Sequence, residues 1–335
     1  MRGQAALAVS LGDPAGVGPE LIAAAWARRI DQALPPFAVI GGAKLLQAAA
    51  ASRGIDLPVA RIASMDEAAQ VFAQALPVLD SADLPYRPGM PDRAGAELAL
   101  QSLGHAARLA VSGAAAALVT GPIAKARLAE VGFAHPGQTE FVAEACGVHP
   151  GDAVMMLAGP HLRTVPITVH IPLAEVASRL TAAMIERKGR ITAMALIRDF
   201  GIATPRLAVA ALNPHAGEEG RMGDEEARLI QPAIDRLQAE GVAITGPHPA
   251  DGLFAPRQRE HLDVALCMYH DQALIPLKAL DFDAGVNITL GLPIVRTSPD
   301  HGTAFAIAGR NLADPGAMIA AIRMAGECAA RRLGQ

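Results

Sequence analysis

Cysteine is scarce and badly placed for cross-linking: Cys146, Cys267 and Cys328 are three in number, far apart, and form no CxxC pair. Such a set argues against both a disulfide framework and a thiolate zinc site. Aromatic residues are only 3% of the chain, no Lys/Arg cluster is interleaved with them, and the net charge is -4, so nothing resembles a nucleic-acid footprint. Long apolar runs are missing as well. The longest uncharged stretch, "LAVSGAAAALVTGPIA", is broken by Ser112, Gly113, Gly121 and Pro122 and falls short of the roughly 20 apolar residues of a membrane helix. Near the N-terminus, Asp13 interrupts the apolar stretch too early for a secretory signal. The expectation is a mature cytoplasmic protein with no membrane span and no nucleic-acid partner. Neither GxGxxG nor a P-loop is present, and no internal repeat is visible.

What is present is an abundance of short apolar runs, each followed by a helical pattern. The 335 residues, 51% of them hydrophobic, suffice for two domains with their own cores. "ALAVSLGD" precedes "PELIAAAWARRI", "FAVIGG" precedes "AKLLQAAAASRG", "AAALVTG" precedes "IAKARLAEVG", and "RLAVAAL" precedes "DEEARLIQPAIDRLQAEG". This rhythm predicts βα units, a mostly parallel sheet and an α/β fold class. "LPYRPGMPD" and "GPHPADGLFAPRQRE" read as long excursions or linkers.

Parallel sheets bind ligands beyond the carboxyl ends of their strands, so polar residues just after each apolar run are the ones to inspect. That position yields Asp13 with Gly12, Gly16 and Gly18; Thr120 and Lys125; His170; Asn213, His215 and Glu218; and His270 with Asp271. Any one of the histidines is as readily a packed strand-end residue. Three of them at one kind of address, two beside acidic residues able to orient them, point instead to a divalent metal with coordination positions left open for a substrate. Three imidazoles suit zinc, magnesium, manganese or cobalt in varying degree and do not choose among them. "GDPAGVGPE" alone is explained by a tight connection into a helix starting at Pro19. "RTSPDHGTAFAIAGRNLADP" is too long and too polar for a simple turn and reads as a binding loop.

The segments "GDPAGVGPE", "TGPIAK", "PGQTEF", "TVHIPL", "LNPHAGE", "GPHPADGLF", "MYHDQ", "GVNITLGLP" and "RTSPDHGTAF" occur in this order across nearly the whole chain. Together they resemble the 4-hydroxythreonine-4-phosphate dehydrogenase family of pyridoxal phosphate biosynthesis. The resemblance implies two α/β/α subdomains with a cleft between them, similar to the isocitrate and isopropylmalate dehydrogenases. Approximately residues 1–125 plus 285–335 would form the first and 126–284 the second, with the metal ligands and the dimer interface. It also implies a homodimer with shared active sites, NAD rather than NADP as cofactor, and one divalent metal held by His170, His215 and His270. Gln138, Thr139, Lys278, Asn287 and Arg296 would contact a small anionic substrate, and Asp251, Asp271 and Lys278 would serve the chemistry. His301, Gly302, Thr303, Ala304 and Asn311 would bind the cofactor, on a loop similar to the adenine-binding loop of the isopropylmalate relatives.

The chemistry stands beside the resemblance. A metal on three imidazoles lowers the pKa of a secondary alcohol and polarises the carbonyl formed as hydride leaves; if that carbonyl is β to a carboxylate, the same ion accepts the enolate charge as carbon dioxide departs. Arg296 offers a bidentate fork for phosphate or carboxylate and Lys278 a point charge. Three positions depart from the family pattern: Gln138 stands where "GHTEF" is usual, Ala273 where glycine is expected, and Gly252 where threonine is expected. Similar scaffolds oxidise phosphorylated threonate or erythronate, or cis-dihydrodiols of aromatic dicarboxylates. A non-catalytic metal-binding dimer is the remaining reading, opposed by the retention of every acidic, basic and ligand position.

Overall fold

Four short runs explain the first half of the fold: LAVS, FAVI, LPVL and LVT are buried at every position, as strands covered on both faces of a parallel sheet must be. The computed structural model describes residues 5–334. In chain order the strands are β1 (Leu7–Ser10), β2 (Phe37–Ile40), β3 (Val59–Ile62), β4 (Leu76–Leu79), β5 (Leu118–Thr120), β6 (Val154–Ala158), β7 (Arg163–Pro166), β8 (Leu207–Ala210), β9 (Ile244–His248), β10 (Val264–Cys267), β11 (Val286–Leu290) and β12 (Arg296–Pro299). The helices are α1 (Gly18–Ala27), α2 (Ala43–Ala51), α3 (Ala68–Val71), α4 (Arg93–Val111), α5 (Lys125–Ala129), α6 (Gln138–Ala145), α7 (Val176–Arg179), α8 (Ala182–Phe200), α9 (Gln231–Ala239), α10 (Ala250–Leu253), α11 (Pro256–Arg259), α12 (His270–Asp281) and α13 (Gly316–Leu333).

Two compact units share these elements, the first made of the described residues up to 150 together with those from 292 onward, and the second of 151–291. The divisions fall later than the approximate 125 and 285 expected from sequence, for packing reasons. Leu128, Phe133 and Phe141 pack on Ala99 and Leu103 of α4, which binds α5 and α6 to the first unit. β11 pairs antiparallel with β6 along its whole length, which places it in the second.

In the first unit the strand order is β3-β4-β2-β1-β5-β12 and every pairing is parallel. The chain moves outward from β1 through β2 and returns by α4 to the other side, so the order reverses between β1 and β5. α4 begins cleanly because the Asp92 side chain accepts from Gly95 N at 2.7 Å, satisfying one of the free donors of the first turn. In the second unit the order is β11-β6-β7-β10-β8-β9. β11, β6 and β7 pair antiparallel, whereas β7, β10, β8 and β9 run parallel. Four adjacent strands therefore end at the same edge of the sheet. α8 is capped by Thr181 at one end and by left-handed Gly201 at the other, and α12 packs on β6, β7 and β10.

Candidate active site

Every histidine expected to bind metal follows one of those four parallel strands: His170 follows β7, His270 follows β10 and His215 follows β8, while Asp251 follows β9. Hydrogen bonds tie the four strand ends together. Thr168 Oγ1 donates to Met268 O at 2.7 Å, joining the ends of β7 and β10. Gln272 accepts from Met268 N at 2.6 Å and donates to Ala211 O at 2.7 Å, joining β10 to β8. Ala211 N donates to His248 O at 2.8 Å, joining β8 to β9. Thr168 and Gln272 are both buried, and neither was singled out from sequence. The usable signal was a polar residue directly after "HD", since Gln272 sits in the first turn of α12 and its amide must find partners once buried.

His170 and His270 face each other with ring centroids 5.6 Å apart, and they line a pocket of about 220 Å³ with Thr168, Asp271, Leu173 and Val176. His270 is the first residue of α12 rather than the last of a strand; β10 stops at Cys267. Its Nδ1 lies 2.7 Å from Asp271 Oδ1, so the carboxylate fixes the ring and leaves Nε2 as the basic nitrogen. Lys278 lies further along the same helix, its Nζ 5.9 Å from the Phe282 ring centroid.

His215 sits on an exposed loop in which His215, Ala216, Gly217, Glu218 and Glu219 all have positive φ. Buried Glu226 anchors the root of this loop: Oε1 accepts from Leu212 N at 2.9 Å and Asn213 N at 2.7 Å, and Oε2 accepts from Asn213 Nδ2 at 3.0 Å. Glu226 opens a π-helical turn, Glu226–Ile230, where sequence suggested continuous α-helix. Within one chain, and among the described residues, no three His, Cys, Asp or Glu side chains gather closely enough to hold a metal. The imidazoles of His170 and His270, 5.6 Å apart, are a donor pair that fits two positions on a divalent ion. Asn287, on β11, has a buried Oδ1 without a hydrogen-bond partner, as suits a residue awaiting a ligand. Of the departures from the family pattern, Ala273 is fully buried and its carbonyl accepts from Thr164 Oγ1 at 3.1 Å, while the absent side chain of Gly252 would meet only open space.

In the first unit Arg296 opens β12 and is 3% exposed. Its Nη2 donates to Thr120 Oγ1 at 2.7 Å and to Gln138 Oε1 at 2.9 Å. Burial pushes the guanidinium down to about 10, opposed by the nearby Glu140 carboxylate, so it remains a cation at neutral pH. Gln138 and the half-buried Thr139 begin α6.

The glycine-rich loop after β1 is more than a connection. Val17 N donates to Thr303 O at 2.9 Å, and a Cβ on Gly16 would stand 2.8 Å from that same oxygen, so only glycine lets the two loops touch. Gly89 N of the proline-rich stretch donates to Ala15 O at 2.8 Å, which makes "LPYRPGMPD" a wall of this region and not a linker. Glu20 and Arg53, paired at 3.2 Å, hold the far end of the loop by accepting from Gly309 N and donating to Ala313 O. Within the loop, His301 Nε2 is buried without a partner, nothing lies within 4 Å of a Cβ on Gly302, and Ala304 and Asn311 have positive φ. An orphaned ring nitrogen beside open backbone fits a loop that receives a cofactor. Asp13 Oδ2 is likewise buried and unpartnered, and burial raises its carboxyl pKa.

The family described as "Pyridoxal phosphate biosynthetic protein PdxA" matches residues 33–325. A 4-hydroxythreonine-4-phosphate dehydrogenase from Erythrobacter litoralis (strain HTCC2594) is 61% identical over 329 residues, covering 98% of both chains. The solved structure of a 4-hydroxythreonine-4-phosphate dehydrogenase from Klebsiella pneumoniae superposes with a TM-score of 0.85 at 37% identity, covering 98% of both chains. A terephthalate 1,2-cis-dihydrodiol dehydrogenase from Burkholderia xenovorans LB400 superposes with a TM-score of 0.65 at 30% identity, covering 97% of this chain and 98% of that one. With the α/β fold, these likenesses define an oxidoreductase acting on a CH–OH group. The chain belongs to the 4-hydroxythreonine-4-phosphate dehydrogenase family. No helix among the described residues is long and apolar enough to cross a membrane.

Proposed function

We propose that this protein oxidises the C3 hydroxyl of 4-phosphohydroxy-L-threonine to the 3-keto acid with NAD and a divalent metal. The keto acid then loses carbon dioxide to give 3-amino-2-oxopropyl phosphate, on the route to pyridoxal 5'-phosphate. The observation that carries this reading is the opposition of His170 and His270 across 5.6 Å at the ends of two paired parallel strands. The high identity to a relative named for this activity supports it.

In this reading His170 and His270 of one subunit hold the metal together with His215 of a second copy, which makes the active form a cytoplasmic homodimer. A divalent metal bound there supplies Lewis acidity toward the alcohol and toward the enolate left by decarboxylation. NAD supplies the hydride acceptor, seated by His301, Gly302, Thr303, Ala304 and Asn311. Asp271 keeps His270 in the tautomer whose Nε2 carries the lone pair. Asp251 and Lys278 are the further groups able to take or return the hydroxyl proton. Lys278 also places a cation about 12 Å along α12 from His270. Arg296 and Thr139 meet the phosphate, and the unpartnered Asn287 Oδ1 accepts from the substrate's hydroxyl or amino group. A second reading, a dicarboxylate cis-dihydrodiol as substrate, is favoured by one observation, the glutamine at position 138.

The test is NAD reduction by the purified protein with 4-phosphohydroxy-L-threonine and, separately, with terephthalate cis-dihydrodiol, each with and without a chelator. Turnover of the phosphorylated substrate that the chelator abolishes is expected. Preference for the unphosphorylated diol would remove the pyridoxal assignment and leave the dehydrogenase class standing.

A further inference from the structure

We propose that Gln138 is a positioning residue that acts on the substrate through Arg296 and is not itself the anion ligand. This rests on the reading that Arg296 meets the substrate's phosphate. The orientation of the amide follows from chemistry: a guanidinium only donates and a carbonyl only accepts. Gln138 Oε1 therefore faces Arg296 Nη2 at 2.9 Å, and Gln138 Nε2 faces Gly121 O at 3.0 Å. Thr120 Oγ1 reaches the same arginine nitrogen at 2.7 Å. Two acceptors on one nitrogen set the plane of the fork, which decides whether its other edge can meet an anion in two places at once. The amide thus bridges the end of β5 to the guanidinium.

A neutral bridge is what this place requires. Glutamate would hold Arg296 harder but cancel the charge the phosphate needs, and it has no donor for Gly121 O. A neutral imidazole could replace both contacts, one ring nitrogen accepting from Arg296 and the other donating to Gly121 O. Protonation removes its acceptor and puts a second positive charge against Arg296. The charged groups facing position 138 are Arg296 of β12, Glu140 of α6 and Lys125 of α5, whose Nζ lies 3.6 Å from a Cβ built on neighbouring Gly137. Glutamine therefore makes the hold on Arg296 independent of pH, whereas histidine, the residue expected here from the family pattern, would make it fail in acid.

The experiment is a double-mutant cycle on KM for 4-phosphohydroxy-L-threonine at saturating NAD and metal, with Gln138→Met, Arg296→Met and the pair. Gln138→Met is expected to raise KM roughly ten-fold, with kcat changing less, and to have no further effect once Arg296 is Met. The same fold-change in both backgrounds would mean that Gln138 touches the substrate itself and would overturn the proposal. An unchanged KM in Arg296→Met is a different failure, that of the role given to Arg296. Gln138→His supplies a second measurement, usable also if the methionine variant does not fold. Its KM, divided by the wild-type KM at each pH to cancel the substrate's own ionisation, is expected to rise as pH falls through the imidazole range near about 6.5. A flat ratio overturns the proposal.

Discussion

Asp271 is an exposed carboxylate whose Oδ1 lies 2.7 Å from Nδ1 of the neighbouring His270. A charge so exposed adds little to stability, so its value lies in orienting the ring. Asp271→Asn keeps the shape and removes the charge. It is expected to weaken zinc or cobalt binding by roughly ten-fold, at the lower end for outer partners of a metal ligand, with an almost unchanged melting temperature. Titration of the protein with cobalt, followed by absorbance, would check this; equal affinity in both proteins would remove the orienting role. Backbone strain marks the same residues. Nine described non-glycine residues have positive φ, and five of them, His170, His215, Glu218, Ala304 and Asn311, are residues the sequence had already nominated. Strain of this kind persists where the surroundings over-determine it, commonly at binding sites.

Among the elements, the loop after β1 and the loop after β12 meet through Gly16 and Thr303. Gly16 has no positive φ, so alanine is opposed only by the contact with the Thr303 carbonyl. Gly16→Ala is expected to displace the candidate cofactor loop at a cost of about 1–3 kcal/mol. NAD affinity measured by fluorescence quenching should fall along with stability, and tight NAD binding in the variant would show that Thr303 does not bear on the cofactor.

α8 carries a different consequence. Lys188, partly buried on this helix, donates to Pro166 O at 3.1 Å, and burial pushes its ammonium down to about 8. The folded protein therefore releases this proton near pH 8, while the unfolded chain keeps it to about pH 10.4. Between those values the unfolded state binds more protons, so stability rises with pH. Relative to Lys188→Met, wild type should gain about 2 kcal/mol on going from about pH 7 to about pH 9.5. Urea denaturation midpoints of both proteins at the two pH values measure it, and a constant difference would show that Lys188 titrates normally.

At the scale of the whole molecule, the rings of His170 and His270 lie 5.6 Å apart within one chain, so in the proposed metal site these two ligands come from the same subunit. If His215 comes from a second copy, mixing His170→Ala with His215→Ala leaves one intact site in each mixed dimer. An equal mixture after full exchange should recover about a quarter of wild-type activity, because half the dimers are mixed and each has one of two sites. Mixing His170→Ala with His270→Ala should recover none, since both alter the same pair. Recovery in the second mixture, or in neither, would reject this arrangement.

Much of this was legible along the chain because it depends on local pattern. Apolar runs buried on both faces announced the parallel strands, and the polar residue after each run announced the sheet edge, since strand direction alone decides where a loop emerges. That His170, His215 and His270 each follow such a run was equally readable, whereas Arg296 was nominated only by the resemblance to the family. What the sequence could not determine is which of these residues meet. The order β7-β10-β8-β9 brings together segments separated by as many as about a hundred residues, and it arises from pairing and packing over the whole unit. The same holds for the partners of Gln272 and Glu226, whose burial is a tertiary fact, and for Gln138, a substitution in the sequence but a bridge to Arg296 in the folded chain. Local propensity sets the elements; the requirement that buried donors and acceptors be paired chooses their contacts, and it acts only once the chain has folded.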